Sequence, residues 1–411
     1  MKHMKRRLII IGMGMAATRL VEELVRHTPD SFDICMIGDE ASLPYNRVLL
    51  SSLLAGDLDE NELELKKPEW WGQHHIQTLT GQKVCGIDRS SKTLTLTSGS
   101  TLSYDLLVIA TGSRPIMLPL PGADLDGVIT FRDLADIEKM QSAIAAKASA
   151  VVIGGGLLGL EAAYGLAKAD VPTNVIHLMD RLMERQLDGE AATMLREDIA
   201  ARGISFHLSA QTKMIHGKDR VEAVELADGT LIKADLVVMA VGIRPHIELA
   251  QAAGLTTARG ILVDDHMTTS DPSIYALGEC ADHRGIAYGL VEPAYEQARV
   301  LATHLANEAA TYAGSITATN LKVHGIKLFS AGDFLGSKDT QNIVLRDRGL
   351  KTYRKLVLEK REEKTYLIGC VLYGDTADGL WYADLIRQQT PVDDMRALLA
   401  FGRELALREA A

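Results

Sequence analysis

A chain of 411 residues, 47% of them hydrophobic, has apolar material for about two to three cored domains and too much of it for intrinsic disorder. Its formal charge of −10 argues against nucleic acid as the main partner, while leaving room for a local basic patch facing an acidic protein. Four cysteines stand singly at Cys35, Cys85, Cys280 and Cys370. Without a Cys-x-x-Cys pair neither a metal site nor a redox-active disulfide is written locally, and a reducing cytoplasmic setting fits.

The first element is Leu8-Ile-Ile-Ile11, an apolar run that reads as a buried strand. Lys5-Arg6-Arg7 before it resembles the start of a signal peptide, but the run leads into Gly12-Met-Gly-Met-Ala-Ala17 and then Arg19, Glu22 and Glu23, which suit a soluble helix. Nothing approaches the roughly twenty apolar residues that span a membrane. Gly12 and Gly14 permit a tight turn and close approach of backbone to ligand, and Ala17 is small enough for helix to pack on strand. Together they form a dinucleotide fingerprint with a diphosphate expected at the helix N-terminus. A helix follows over Thr18 to His27 with Leu20, Leu24 and Val25 inward, then a strand over Phe32 to Ile37. An acid after that strand suits a ribose hydroxyl pair; Asp39 is the better candidate and Glu40 the reserve.

Leu43 to Ser52 carries a proline, Tyr45 and Arg47, either a cofactor lining or a structural loop. Trp70, Trp71, His74 and His75 read as packing and surface residues. Gln82 to Ile87, Lys92 to Thr97 and Leu102 with Tyr104 alternate as a small antiparallel meander. It ends in a buried strand from Leu106, whose close Ala110-Thr111-Gly112 allows backbone near a nucleotide, and Ser113-Arg-Pro115 exits.

Ala150-Val-Val-Ile153 then opens a fuller fingerprint, Gly154, Gly156 and Gly159, leading to a helix through Ala167 and a strand from Thr173 to His177. His177 and Arg181 suit a 2′-phosphate, with Asp180 as the alternative for a ribose hydroxyl, so the pattern leans to NADPH tolerance. Glu161 sits where either the dipole of a first helical turn or a nearby nicotinamide explains it. Another meander, Met214 to Ile232, leads to Leu236-Val-Val-Met-Ala-Val-Gly242 and again to an Arg-Pro exit at Arg244-Pro245. Strand, glycine turn, meander, strand and Arg-Pro thus occur twice, which implies two related dinucleotide-binding domains.

Thr268 to Cys280 gives a further strand and turn, with Gly278 and Glu279 at its end; the acid suits a ribityl chain. A helix over Ala294 to Leu305, after Val291-Glu292-Pro293, is placed to aim its N-terminal amides at an electron-rich ring edge. Ala306 to Asn320 reads as a linker, Leu321 to Gly374 as strands, and Thr376 to Phe401 as two closing helices, with Trp381 and Tyr382 in a core or interface.

These motifs resemble the flavoprotein reductases with two dinucleotide folds. More narrowly, Pro44-Tyr-Asn-Arg-Val-Leu-Leu-Ser-Ser52, Gly155-Gly-Leu-Leu-Gly-Leu-Glu-Ala-Ala163, Ser270-Asp-Pro-Ser-Ile-Tyr-Ala-Leu-Gly-Glu-Cys280 and Tyr373-Gly-Asp-Thr-Ala-Asp-Gly-Leu-Trp-Tyr382 are similar to the flavin-binding N-terminal part of the NAD(P)H nitrite reductase large subunit. The resemblance implies an α/β fold: two Rossmann-like domains, as in glutathione-reductase-like flavoproteins, plus a smaller α+β C-terminal domain. It divides the chain into an FAD domain at 1–115 and 245–320, an NAD(P)H domain at 116–244 and an interface domain at 321–411. FAD contacts are implied for Gly12, Gly14, Ala17, Asp39, Arg47, Ser52, Val84, Ala110, Thr111, Gly112, Arg132, Gly278, Glu279 and the backbone at Glu292. Gly154, Gly156, Gly159, Glu161, His177, Arg181 and Gly242 fall to NADH or NADPH, with Glu161 and Arg47 closest to the chemistry.

Two departures qualify the likeness. No cysteine cluster for iron–sulfur or siroheme binding is present, so the expectation is a stand-alone reductase module. Relatives that reduce ferredoxins often carry lysine where Ser52 stands, and Arg47 partly replaces it. The implied activity is hydride transfer from NAD(P)H to FAD and electron delivery to a redox protein: an iron–sulfur protein, a rubredoxin, or a nitrate or nitrite reductase catalytic subunit. Reduction of oxygen, a quinone or a disulfide, and a nucleotide-sensing interaction protein, are the alternatives. The third domain suits either a homodimer surface or a partner platform.

Overall fold

Leu8-Ile-Ile-Ile11, Ile34-Cys-Met-Ile37 and Leu106-Leu-Val-Ile109 carry no charged side chain, as expected of strands buried on both faces. They become neighbours in a parallel sheet. The computed structural model describes residues 5–321, 323 and 325–409. Its first sheet runs Ile274–Ala276, Leu106–Ile109, Arg6–Ile11, Phe32–Ile37, Gln77–Leu79, with every pair parallel. The alternation of a strand sorts the side chains. Leu8, Ile10, Ile34, Met36 and Val108 pack with Leu20 and Leu24 of the helix Met15–His27 and with Ala298 and Leu301 of the helix Val291–Leu305. Ile9, Ile11, Cys35, Ile37, Leu107 and Ile109 face the other way, onto Val84, Leu94 and Leu96 of the antiparallel meander Val84–Asp88, Thr93–Leu96, Thr101–Ser103. Each buried leucine or isoleucine contributes on the order of 2 kcal/mol, so the sheet is held from both sides.

The chain separates into two compact units. One comprises residues up to Leu49 with Asp59–Arg114 and Ile243–Ser315; the other comprises Leu50–Leu58, Pro115–Gly242 and Ile316 onward. The second unit repeats the parallel sheet, in the order Ile204–His207, Thr173–Ile176, Ala150–Ile153, Leu236–Met239, Val128–Thr130. Val151, Ile153, Val237 and Met239 pack on Ile215, Val224 and Ile232 of its own meander. The same unit holds a five-stranded antiparallel sheet, Ala318–Asn320, Leu328–Gly332, Lys364–Tyr373, Thr352–Arg361, Gln341–Asp347, whose core includes Leu356, Leu372, Tyr382 and Ile386. The architecture is α/β twice over with an α+β C-terminal part. Among the described residues no helix is long and apolar enough to cross a membrane.

Four local expectations are corrected. The helix expected from Ala294 begins at Val291, because Pro293 in a first turn loses an N–H that has no helical partner anyway. Ala318–Asn320, expected in a linker, pairs as an edge strand with Leu328–Gly332. The closing region holds one helix at Gly379–Gln388, two 3₁₀ turns at Asp393–Met395 and Leu399–Phe401, and a last helix at Arg403–Glu409. The left-handed Gln389 and Pro391 break it after the first helix. Val25 is only half-buried against the core.

Asp235 ties the starts of two central strands. Its Oδ2 accepts the Ser149 N–H at 2.8 Å and Oγ–H at 2.7 Å, and these bonds hold its carboxyl below the usual carboxylate range. Because the folded value is depressed, the stabilisation is complete above the ordinary carboxylate range and is lost as pH falls through the folded value. Asp235→Asn is expected to cost about 1 kcal/mol at neutral pH. The gap between parent and variant urea midpoints should close on acidification.

Candidate functional site

At the first glycine turn Gly12 has φ +107°, and a Cβ there would overlap the carbonyl oxygen of Ala110. The turn is pinned from both sides: Gly12 N–H donates to Ile37 O at 2.7 Å, and Ala110 N–H to Ile11 O at 2.8 Å. Gly14 is the N-cap of Met15–His27, with no side-chain cap, and a Cβ on it would meet nothing within 4 Å. Ala17 is fully buried. The result is a cradle at a helix N-terminus with no side-chain cap and, among the described residues, open space beside Gly14, which fits a dinucleotide diphosphate.

Other candidates converge on the same unit. Asp39 is exposed just past the strand Phe32–Ile37. Glu40 is engaged instead: it pairs with Arg47 and accepts from Tyr45 Oη at 2.7 Å. Arg47 also donates to Tyr45 Oη at 2.8 Å and lies over its ring. Val84 opens the meander and is buried, as is Ala110. Thr111 Oγ1 donates to His246 O at 3.3 Å, and Gly112 O accepts the His246 N–H at 2.9 Å. Glu279 accepts from Ser113 Oγ at 2.7 Å. Gly278, with φ +79°, stands 3.0 Å from Ala16 by its would-be Cβ, so the turn packs directly on the first helix. The carboxylate of Glu292 lies at the start of Val291–Leu305 and pairs outward with Arg299 at 3.2 Å. Ser52, in the helix Leu50–Leu54, and Arg132, before the helix Leu134–Ala145, belong to the second unit.

Sequence reasoning named Tyr45 without its hold on Arg47, and it missed Gln297, whose buried Oε1 accepts the Gly278 N–H at 2.7 Å. A glutamine among the buried Ala294, Ala298 and Leu301 was the available signal.

The second cradle reproduces the first bond for bond. Gly154 has φ +123°, and its Cβ would overlap Ala240 O. Gly154 N–H donates to Ile176 O, and Ala240 N–H to Ile153 O, each at 2.8 Å. Gly156 is the uncapped N-cap of Leu157–Lys168, with open space where a Cβ would lie. A Cβ on Gly159 would overlap Gly154 O, so the helix can approach only as glycine. Gly242, with φ +118°, accepts the Ile116 N–H at 3.0 Å. Glu161 is buried as the fifth residue of its helix, whose first turn has no acid. The dipole of a first turn therefore does not explain it.

His177 is not a surface residue. Its Nδ1 lies 3.1 Å from the Gly155 N, and its Nε2 3.1 Å from Glu184 Oε2. Arg181 and Asp180 pair at 3.3 Å, the arginine partly exposed and the aspartate exposed.

Two parallel sheets with matching diphosphate cradles define a two-dinucleotide flavoprotein fold. The chain belongs to the pyridine nucleotide-disulphide oxidoreductase family, whose model matches residues 6–302. The rubredoxin NAD+ reductase C-terminal domain matches residues 318–390. Nitrite reductase [NAD(P)H] of Bacillus subtilis is 44% identical over 95% of the chain and 48% of its own length. The assimilatory nitrate reductase electron transfer subunit of the same organism is 40% identical over 94% and 50%. The chain thus spans about half the length of these relatives. Rhodocoxin reductase of Rhodococcus erythropolis is 36% identical over 74% of this chain and 73% of its own. A crystal structure of a ferredoxin reductase from Rhodopseudomonas palustris superposes with a TM-score of 0.89 at 29% identity, covering 99% of this chain and all of the other. Membership implies FAD and a pyridine nucleotide as cofactors.

The glycines separate fold from ligand. Gly154→Ala places a Cβ against a carbonyl at positive φ and is expected to cost about 2 kcal/mol or more. Gly156→Ala meets open space at an extended φ and should leave the urea midpoint unchanged or slightly raised.

Proposed function

We propose that the chain is a reductase module that takes hydride from NADH or NADPH and delivers electrons to a redox protein. The observation that carries this is the duplicated cradle: one chain offers two pinned glycine turns at two uncapped helix N-termini. When bound, FAD supplies hydride acceptance at N5 and one-electron release. FAD is held in a domain of 1–115 and 245–320, most of which is the first unit. The amides around Gly14 take its diphosphate and Asp39 its adenosine ribose. Glu279, oriented by Ser113, reaches the ribityl chain. Arg47, held by Tyr45 and Glu40, would hold the flavin from one side. The first-turn amides of Val291 and Glu292 would be the donors to the pyrimidine edge, since Pro293 has none to offer. Gly154, Gly156 and Gly159 hold NAD(P)H in a domain of 116–244, and Glu161 orients the nicotinamide. The domain 321–411 serves as an interface.

An acceptor protein is favoured by the names of the relatives: a nitrate or nitrite reductase subunit, a rubredoxin or another iron–sulfur protein, in the cytoplasm. Disulfide reduction is disfavoured because no cysteine lies in the loop from Pro44 to Gly56 and three of the four thiols are buried, Cys85 being the exposed one. Burial pushes the Cys35 thiol up to about 11 and Cys370 to about 12, and it raises Cys280 as well. Such thiols stay protonated.

Anaerobic NADH or NADPH is expected to bleach the visible flavin band of the purified holoprotein. Reoxidation should then be faster with a rubredoxin or ferredoxin than with oxygen. A band that stays yellow, or oxygen turnover indifferent to any added iron–sulfur protein, would refute the proposal. Gly14→Ala should lower flavin content, whereas Gly156→Ala should keep the flavin and raise the Kd for the nicotinamide coenzyme.

A further inference from the structure

At one matched pair of positions the two cradles exchange a large residue and a glycine. The bond from Gly12 to Ile37 O corresponds to that from Gly154 to Ile176 O. The next residues therefore correspond as well: Met13 with Gly155, and Gly38 with His177. In the first cradle the turn residue is large and the strand-end residue is glycine; a Cβ on Gly38 would lie 3.0 Å from the Met13 side chain. In the second the sizes are exchanged. A Cβ on Gly155 would lie 2.8 Å from the His177 ring and 2.8 Å from Leu182.

The exchange has a conformational consequence. Gly154-Gly-Gly156 is a run of three glycines, the most freely rotating sequence available, and ordering it costs more backbone entropy than ordering Gly-Met-Gly. The middle peptide is held at both its polar groups. Gly155 N–H donates to His177 Nδ1 at 3.1 Å, and Gly155 O accepts the Met183 N–H at 3.0 Å. An Nδ1 that accepts a peptide N–H carries no proton, so the ring proton is on Nε2 and points to Glu184, 3.1 Å away. The imidazole is a fixed tautomer wedged between a carboxylate and a glycine amide. Both its nitrogens are occupied within the protein, which leaves none for a coenzyme phosphate.

We propose that His177 is a positioning residue of the pyridine-nucleotide turn: it orders Gly155 through Nδ1, so that the amides of the following turn are preset for the diphosphate, and it acts alike on NADH and NADPH. The proposal rests on the second cradle being the NAD(P)H site.

The test uses the reach of two amides. Asparagine places its oxygen where Nδ1 stands, whereas glutamine places it where Nε2 stands. Titrations of the FAD-loaded protein with NADH and with NADPH should give a Kd raised roughly tenfold for His177→Gln, the scale of one hydrogen bond. His177→Asn should recover most of that loss, and the ratio of the two coenzyme affinities should not move in either variant. Hydrogen exchange without coenzyme supplies an independent readout, in which the 154–157 amides should lose protection in His177→Gln and keep it in His177→Asn. Equal Kd values for the Asn and Gln variants, or a loss confined to NADPH, would overturn the role. A parent protein that binds neither coenzyme would instead overturn the assignment of the cradle, and the role with it.

Discussion

At each cradle a turn passes so close beneath the first carbonyl beyond a neighbouring strand that a single methyl group would collide with it: Ala110 O over Gly12 and Ala240 O over Gly154. This approach fixes the rest. It brings the helix to its start immediately beyond the sheet, with its first amides unpaired over the strand ends. It also sets the two ladder bonds that lock each turn to both adjoining strands. Neither helix has an acid in its first turn. A carboxylate there would satisfy those amides and compete with an incoming phosphate, so the positive end of the helix is left to the ligand.

Much of this architecture was legible. Period and turn chemistry located the central strands of both parallel sheets, both meanders and both fingerprints, because buried parallel strands advertise themselves as unbroken apolar runs, whereas the short edge strands Gln77–Leu79, Val128–Thr130 and Ile204–His207 were not foreseen. Edges and ends were harder to read. Ala318–Asn320 has the composition of a linker, and only its partner strand makes it a strand. The last helix lies beyond two 3₁₀ turns that resemble a helix in composition. At the sites, glycines betray themselves by type, but pairings between distant side chains do not. Nothing in the order of residues says that Glu40 is engaged by Arg47 and Tyr45, which leaves Asp39 the exposed acid of the pair. Nor does it say that His177 turns inward onto a glycine amide.

Polar anchors help bind the C-terminal sheet to the nucleotide-binding part of its unit. Asp188 caps the helix Gly189–Ala200 by accepting the Ala191 N–H at 3.1 Å. The same carboxylate accepts from Tyr353 Oη at 2.6 Å and lies 3.5 Å from Lys355 Nζ. In the last turn of the helix, Asp198 accepts from Tyr373 Oη at 2.6 Å and pairs with Lys351 at 2.6 Å. Burial, reinforced by the facing carboxylates, pushes both phenols well above their ordinary range, so they remain donors. A helix whose cap is shared with another sheet cannot fray without loosening that sheet.

The first unit is assembled from pieces far apart in the chain. Its three inner strands end at Ile109, yet the outer strand Ile274–Ala276, the Gly278 turn and the helix Val291–Leu305 come only after the whole segment 115–242 that belongs to the second unit. On the ribosome, the strand Leu106–Ile109 therefore emerges with one edge unpaired, and the apolar face of Met15–His27 waits for its helical partner while more than a hundred residues are still to be made. The cradle encoded first is completed last, and the inserted nucleotide-binding sheet can be finished before the unit that interrupts it in sequence has closed.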